Sequence, residues 1–127
     1  MKINHFAVYT NQLELLKNFY ITYFEASSND GYHNQTSGLR TYFLSFSDGA
    51  RLELMTRPGL TQLSHELYQT GYIHLAFSTG SREAVDTLTT RLESDGYTVI
   101  SRPRTTGDGY YESCILDPDG NLIEIVE

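Results

Sequence analysis

The sequence carries an internal repeat in which a histidine in an apolar segment is followed, about fifty residues later, by a glutamate after an Asp-Gly pair. The repeated polar residues are His5 and Glu53 in the first copy, and His74 and Glu124 in the second. The matching segments read INHFAVYT and DGARLELM in the first copy, and YIHLAFST and DGNLIEIV in the second. A repeated fold does not need polar residues at matching places in its strands, whereas a metal held between two copies of a module needs donors from both. We therefore interpret the chain as two copies of one module that together supply a metal site.

Length and composition favour a small globular protein. The 127 residues are enough for one domain, or for two small modules that share a core. A hydrophobic fraction of 39% and an aromatic fraction of 13% are typical of a chain that folds. The net charge of −7 and the absence of a basic run argue against nucleic acid and anionic membranes as partners.

The sequence contains no signal peptide pattern and no apolar run near the roughly 20 residues that a membrane-spanning helix requires. A single cysteine, Cys114, cannot form an intrachain disulfide, which agrees with a reducing compartment. We therefore expect a cytoplasmic protein.

The first half is predicted to run strand, helix, loop and hairpin. Thr10 or Asn11 is expected to cap the helix, because either side chain can accept a hydrogen bond from an amide of the first turn. The other expected elements are a strand over 3–9, a loop over 26–38, and hairpin strands over about 39–46 and 50–56 joined by Asp48 and Gly49.

The second half is predicted to repeat this order after a connection at 60–70 with a short helical turn. Its helix is expected to begin near Ser81 and to stop at Gly96. The expected strands span about 71–78, 97–101 with a break at Arg102-Pro103, 110–116 and 121–126.

The predicted fold is α+β, with two tandem βαβββ modules over about 1–60 and 70–127 in a single domain of residues 1–127. Two such modules can form a curved mixed sheet around a concave site, with the helices on the outer face. Because successive strand side chains point to opposite faces, the two histidines and two glutamates are expected on the inner face. The more uniformly apolar outer face is expected to contain Phe6, Val8, Leu52, Leu54, Ile73, Leu75, Phe77, Ile123 and Ile125.

The four repeated residues form a reasonable ligand set for a divalent metal. A carboxylate among apolar neighbours is costly unless it is paired, and two carboxylates with one divalent cation sum to zero charge. Any one of these residues alone would more often be a solvent-facing or hydrogen-bonded group. A His₂Glu₂ set leaves positions open for water or substrate, as catalytic sites do, and suits Ni²⁺, Zn²⁺, Co²⁺, Fe²⁺ or Mn²⁺ without selecting among them.

Three further motifs carry a family resemblance: NFY at 18–20, GYIHLAF at 71–77 and DPDGNLIE at 117–124. With the four repeated residues, they resemble the vicinal oxygen chelate superfamily, the glyoxalase, bleomycin resistance and dioxygenase proteins, and particularly bacterial glyoxalase I. The resemblance implies that His5, Glu53, His74 and Glu124 are the metal ligands. It also implies a homodimer, with the metal site within one chain or across the dimer interface.

The resemblance further implies a lyase that moves a proton of an α-hydroxycarbonyl substrate through a metal-stabilised enediolate. In glyoxalase I the substrate is the hemithioacetal of methylglyoxal and glutathione. Glu124 would be the base that takes the proton, and Glu53 would assist or return it.

The chain departs from bacterial glyoxalase I at two glutathione-binding positions, where it carries Tyr9 and, approximately, Arg57. The substrate and the thiol therefore stay open, and Arg40, Arg57, Arg102 or Arg104 could anchor an anionic group.

The main alternative is a non-catalytic binding or resistance protein of the same fold. Thiol transferases, epimerases and dioxygenases of the superfamily fit the four-residue repeat less well. Two other histidines, His33 and His65, are expected at the surface, and Cys114 is expected to be a packed residue rather than a nucleophile.

Overall fold

The computed structural model describes residues 1–62, 66 and 68–127. The chain divides into two compact units, Met1–Leu63 and Ser64–Glu127. Each unit contains one long helix and one mixed sheet, which confirms the α+β class and the tandem arrangement predicted from the repeat. The strands are hydrogen-bonded as two sheets, one in each unit, and not as one continuous ladder.

The described residues of the first unit form one helix and five strands. These elements are β1 (Phe6–Tyr9), α1 (Leu13–Phe24), β2 (Ser27–Ser28), β3 (Tyr32–His33), β4 (Arg40–Ser45) and β5 (Arg51–Thr56). The strand order is β1-β5-β4-β2, with β3 also paired to β4. Because β1 runs parallel to β5 while β4 runs antiparallel to it, the two ends of the repeated motif become neighbours in the sheet.

The described residues of the second unit form one helix and four strands. These elements are β6 (His74–Ser78), α2 (Arg82–Ser94), β7 (Val99–Thr105), β8 (Tyr111–Leu116) and β9 (Leu122–Val126). The strand order is β6-β9-β8-β7, again with the first and last strands of the unit parallel. The repeat in the sequence is therefore a repeat in topology.

The helix starts differ between the units. Ser81 caps α2 as predicted, because its hydroxyl accepts a hydrogen bond from the Ala84 amide at 3.2 Å. The predicted cap of α1 was wrong: the capping position is Gln12, which makes no side-chain capping bond. The Thr10 hydroxyl instead accepts a hydrogen bond from the Gln12 amide at 2.8 Å, forming a turn before the helix.

Two segments that looked irregular form strands. The expected loop over 26–38 contains β2 and β3, two-residue strands too short to produce an alternating pattern. The break expected at Arg102-Pro103 is also absent, since β7 continues to Thr105. Pro103 is tolerated because β7 is an edge strand with two register shifts against β8.

The predicted hairpin of the first unit matches the structure, whereas the strand predicted from about residue 71 begins at His74. The hairpin of β4 and β5 turns at Asp48-Gly49, where Gly49 takes a left-handed φ of 88°. The helical turn expected at 60–70 falls partly on residues that the structure does not describe, as does His65.

The core of each unit lies between its helix and one face of its sheet. Burial alternates along β5 and β9, so that every second side chain is removed from water on the helix side. The fully buried residues in this layer are Leu16, Tyr20, Leu44, Leu52 and Leu54 in the first unit, and Val85, Leu92, Ile115, Ile123 and Ile125 in the second. Phe6 and Ile73, also expected on the apolar face, are both 42% exposed.

Within the part of the chain that is described, no helix combines the length and the apolar character needed to cross a membrane.

Candidate metal centre

In the first unit, His5 and Glu53 face each other. The His5 Nε2 atom lies 3.5 Å from the Glu53 Oε2 atom. Glu53 sits in the middle of β5 between two buried leucines, so its side chain points away from the helix. His5 immediately precedes β1, which begins at Phe6 and not at the predicted residue 3. The parallel pairing of β1 with β5 places His5 beside β5.

In the second unit, His74 and Glu124 make the same contact with the same atoms. The His74 Nε2 atom lies 3.2 Å from the Glu124 Oε2 atom. His74 is the first residue of β6, and Glu124 lies in the middle of β9 between the buried Ile123 and Ile125. Each unit thus presents one imidazole nitrogen and one carboxylate on the sheet face opposite its helix.

The two pairs are equally accessible. The side chains of His5 and Glu53 are 35% and 17% exposed, and those of His74 and Glu124 are 33% and 19% exposed. Both pairs therefore combine a partly exposed imidazole with a largely buried carboxylate. This setting lowers the dielectric around the carboxylate while leaving a path for a ligand. The structure brings the four predicted residues together in pairs, and their binding of a metal stays a prediction.

In the first pair, two side chains contact the His5 ring, and Arg51 contacts both of them. The Asn4 Oδ1 atom lies 2.8 Å from His5 Nδ1 and accepts a hydrogen bond from Arg51 Nη2 at 2.5 Å. The Arg51 guanidinium lies 5.0 Å from the centre of the Phe43 ring, which in turn meets the His5 ring edge to face at 5.3 Å. We call Asn4, Arg51 and Phe43 the His5 clamp.

Around the second pair, the neighbours are acidic and sulfur-containing. Cys114 lies opposite Glu124 in the ladder, and Glu112 lies two residues from Cys114 on the same face of β8. The ligand atoms of Glu112, Cys114 and Glu124 all lie within 4.8 Å of one another. The Arg104 guanidinium, 3.7 Å from a Glu112 oxygen, partly balances this negative charge.

Burial shifts the pKa values of two groups at the second pair, Cys114 and Glu124. It raises the pKa of the Cys114 thiol to about 11, and the negative charge of Glu124 adds to the effect. Cys114 is therefore a protonated, packed thiol at neutral pH, as the sequence predicts, and not a thiolate nucleophile. Burial also raises the pKa of Glu124, His74 opposes that rise, and Glu112 reinforces it.

Sequence reasoning missed the functional environment of both pairs. Asn4 is adjacent to His5 in sequence, and Arg51 lies two residues from Glu53 on the same strand face, so local signals for both existed. Phe43 and Glu112 could not be found in this way, because only the register of β4 and β8 brings them to the site.

The other residues weighed from the sequence lie outside these pairs. His33 is exposed and contacts the Gln35 amide, as expected of a surface residue. Three of the four candidate anion-binding arginines lie beside carboxylates: Arg40 beside Glu14 at 2.9 Å, Arg102 beside Glu93 at 2.5 Å and Arg104 beside Glu112 at 3.7 Å.

The sequence profile of the Glyoxalase/Bleomycin resistance protein/Dioxygenase superfamily matches residues 2–125. The chain belongs to this superfamily. The match includes all four residues of the two pairs, and it confirms the resemblance inferred from the motifs.

Similar proteins agree with this assignment. The "Uncharacterized protein YqjT" of Bacillus subtilis (strain 168) is 26% identical over 132 residues, with 98% of this chain and 97% of that protein covered. A glyoxylase/bleomycin resistance protein/dioxygenase domain from Frankia sp. EAN1pec has the same fold, with a TM-score of 0.82 at 16% identity over 99% of this chain and 96% of that one.

A trypanothione-dependent glyoxalase I from Leishmania major also has this fold, with a TM-score of 0.79 at 18% identity over 100% of this chain and 86% of that one. At these identities, the superfamily structures establish the fold of the chain and not its activity.

Proposed function

We propose that this protein is a metal-dependent, glyoxalase I-like lyase that transfers a proton on an α-hydroxycarbonyl substrate of the hemithioacetal type. The observation that carries the proposal is the repeated contact of a histidine Nε2 with a glutamate Oε2 in both units, at 3.5 and 3.2 Å. An exposed ion pair would not require the same atoms, the same exposure and the same strand positions in two units that otherwise differ.

The chemistry of the donors fits a divalent cation. Two imidazole nitrogens and two carboxylate oxygens suit Ni²⁺, Zn²⁺, Co²⁺, Fe²⁺ or Mn²⁺, and the carboxylates balance the ion's charge. We propose that His5, Glu53, His74 and Glu124 hold one such ion, within one chain or across a homodimer. When bound, the metal would polarise two neighbouring oxygens of the substrate and so acidify the adjacent carbon-bound hydrogen.

We assign the proton transfer to the two glutamates. Glu124 would take the proton from the substrate carbon, as the resemblance to bacterial glyoxalase I implies, and burial raises its pKa and so favours it as an acceptor. Glu53 would assist or return the proton from the other pair. His5 and His74 would hold the ion without taking part in the transfer.

The thiol carried by the substrate need not be glutathione. By the resemblance, Tyr9 and, approximately, Arg57 stand where bacterial glyoxalase I binds glutathione, and both residues are exposed, where they could contact a different carrier. The Leishmania major neighbour is a trypanothione-dependent glyoxalase I, which is a precedent within this fold for another thiol. We therefore propose a small thiol adduct of methylglyoxal as the substrate class, acted on in the cytoplasm.

The test is an assay of the metal-loaded protein with methylglyoxal and, in turn, glutathione, trypanothione and cysteine. We expect formation of a lactoyl thioester with at least one thiol. His33→Ala is the matched control, because this exposed histidine lies outside the two pairs, and it should retain full activity. A protein that holds its metal but turns over none of these adducts would favour the non-catalytic binding alternative.

A further inference from the structure

The two histidines of the candidate site differ in what contacts their second ring nitrogen. His5 Nδ1 lies 2.8 Å from Asn4 Oδ1. Ile73 precedes His74 at the position that corresponds to Asn4, and its apolar side chain cannot accept a hydrogen bond. His5 therefore has a polar side chain of the preceding residue beside its ring, and His74 does not.

The contact with Arg51 fixes the direction of the hydrogen bond between Asn4 and His5. An asparagine amide can in principle face a histidine with either its oxygen or its nitrogen. A guanidinium has only donors, so the Asn4 atom that Arg51 contacts at 2.5 Å must be the oxygen. The same oxygen lies beside His5 Nδ1, and it can only accept there, so Nδ1 must carry a proton.

The remaining members of the His5 clamp restrain the ring itself. Phe43 meets the His5 ring at an interplanar angle of 88°, and the Arg51 guanidinium lies over the Phe43 ring. Phe43 is the direct cross-strand partner of Glu53, so the clamp is built on the same strands as the carboxylate. A rotation of the imidazole would break the Asn4 contact and the edge-to-face packing together.

We infer that the His5 clamp fixes a proton on His5 Nδ1 and so leaves Nε2, the nitrogen that faces Glu53, as the one available to a cation, with Asn4 as the positioning residue. Neutral histidine in water prefers the opposite form, with the proton on Nε2, which cannot bind a metal through that nitrogen. The first pair is thus prepared for a cation before one arrives. The consequence for metal affinity rests on the proposed function, but the proton position does not.

The first measurement uses the metal-free full chain with ¹⁵N-labelled histidine. Long-range ¹H–¹⁵N spectra would be recorded in alkaline solution, at a pH above which the imidazole signals no longer change. We expect wild-type His5 to show a protonated Nδ1 and an unprotonated Nε2. A His5→Gln variant assigns the signals.

The variants separate this inference from a general structural effect. Asn4→Leu should move the His5 proton to Nε2, while Asn4→Asp, which keeps an acceptor, should preserve the wild-type pattern. Arg51→Met, which frees the Asn4 amide to turn, should give a mixture of both forms. Ile73→Leu is the matched control at the equivalent position and should change nothing. A wild-type His5 protonated on Nε2, or an unchanged pattern in Asn4→Leu, would overturn the inference.

The second measurement is the affinity of the same variants for Co²⁺. Loss of a group that orients a metal-binding histidine typically weakens metal binding by about 10- to 100-fold, and we expect this loss for Asn4→Leu but not for Asn4→Asp. Unchanged affinity in a variant whose proton has moved would overturn the role of Asn4 in metal binding. Absence of Co²⁺ binding by the wild type would overturn the proposed function, while the proton position would still decide the inference about His5.

Discussion

The two pairs of the candidate site are alike in their donors and different in their neighbours. The His5–Glu53 pair lies beside an aromatic ring and a guanidinium, whereas the His74–Glu124 pair lies beside a buried thiol and a second carboxylate. The donor atoms and the exposure of the side chains are nearly the same in both. The repeated module therefore keeps the contact between an imidazole and a carboxylate and varies the side chains that surround it.

The difference arises at matching places in the two sheets. Phe43 is the cross-strand partner of Glu53, and Cys114 is the cross-strand partner of Glu124. An aromatic ring can restrain a histidine and carry a stacked arginine, while a small buried thiol leaves room for Glu112 to approach. The two pairs therefore differ in the side chains that pack against their donors.

Exchanging the two glutamates for glutamine gives the largest expected effect. Glu124→Gln should lower turnover by about 10²- to 10⁴-fold, the usual contribution of a general base, while most of the metal is retained. Glu53→Gln should cost less, because we assign it an assisting role. Turnover and metal content of both variants check this expectation. Undiminished turnover by a fully metallated Glu124→Gln protein would remove Glu124 as the base.

Truncating the residue before each glutamate tests whether the two units are built alike. Leu52 and Ile123 are 2% and 0% exposed and pack on the helix side of their sheets. Replacing either with alanine should lower the free energy of unfolding by about 2 to 5 kcal/mol, since each leaves a cavity in its core. Urea unfolding of the two variants measures the losses. A cost below about 1 kcal/mol for one of them would contradict the equivalence of the two cores.

The smallest expected effect is the contribution of Glu124 to the pH dependence of stability. Burial raises the pKa of Glu124 above its ordinary value of 4.5, so the folded, metal-free protein holds this proton more tightly than the unfolded chain does. The resulting stabilisation is complete below pH 4.5 and is lost as the pH rises through the folded-state pKa.

Glu124→Gln should therefore unfold with a weaker pH dependence in that window than the wild-type protein. Unfolding midpoints in urea across the acid range measure this difference without metal present. A stability difference between the two proteins that is the same at every pH would contradict a raised pKa at Glu124.

Much of the fold could be predicted because the repeat and the turn residues are local signals. The alternation around Glu53 and Glu124 identified the faces of β5 and β9, and Ser81 identified the start of α2. The errors occurred where tertiary context decides the outcome. Pro103 looked like a strand break, yet it lies within an edge strand, where a missing amide hydrogen costs little.

The candidate site was predictable only in part for the same reason. Its four donors could be found because each recurs with its neighbours along the chain. The contacts of Phe43 with His5 and of Glu112 with Glu124 depend on strand register. No local sequence pattern in β4 or β8 predicts that register. The direction of the Asn4 hydrogen bond additionally required the position of Arg51.

The central proposal is that one metal needs donors from both pairs, and metal content after purification with Ni²⁺, Zn²⁺, Co²⁺ or Mn²⁺ tests it most directly. We predict about one metal per chain in the wild type and in His33→Ala, and less than about half in both His5→Ala and His74→Ala. Less than about half a metal in the wild type would contradict the proposal outright. A full complement in His5→Ala would also contradict it, because the second unit would then bind the ion without the first.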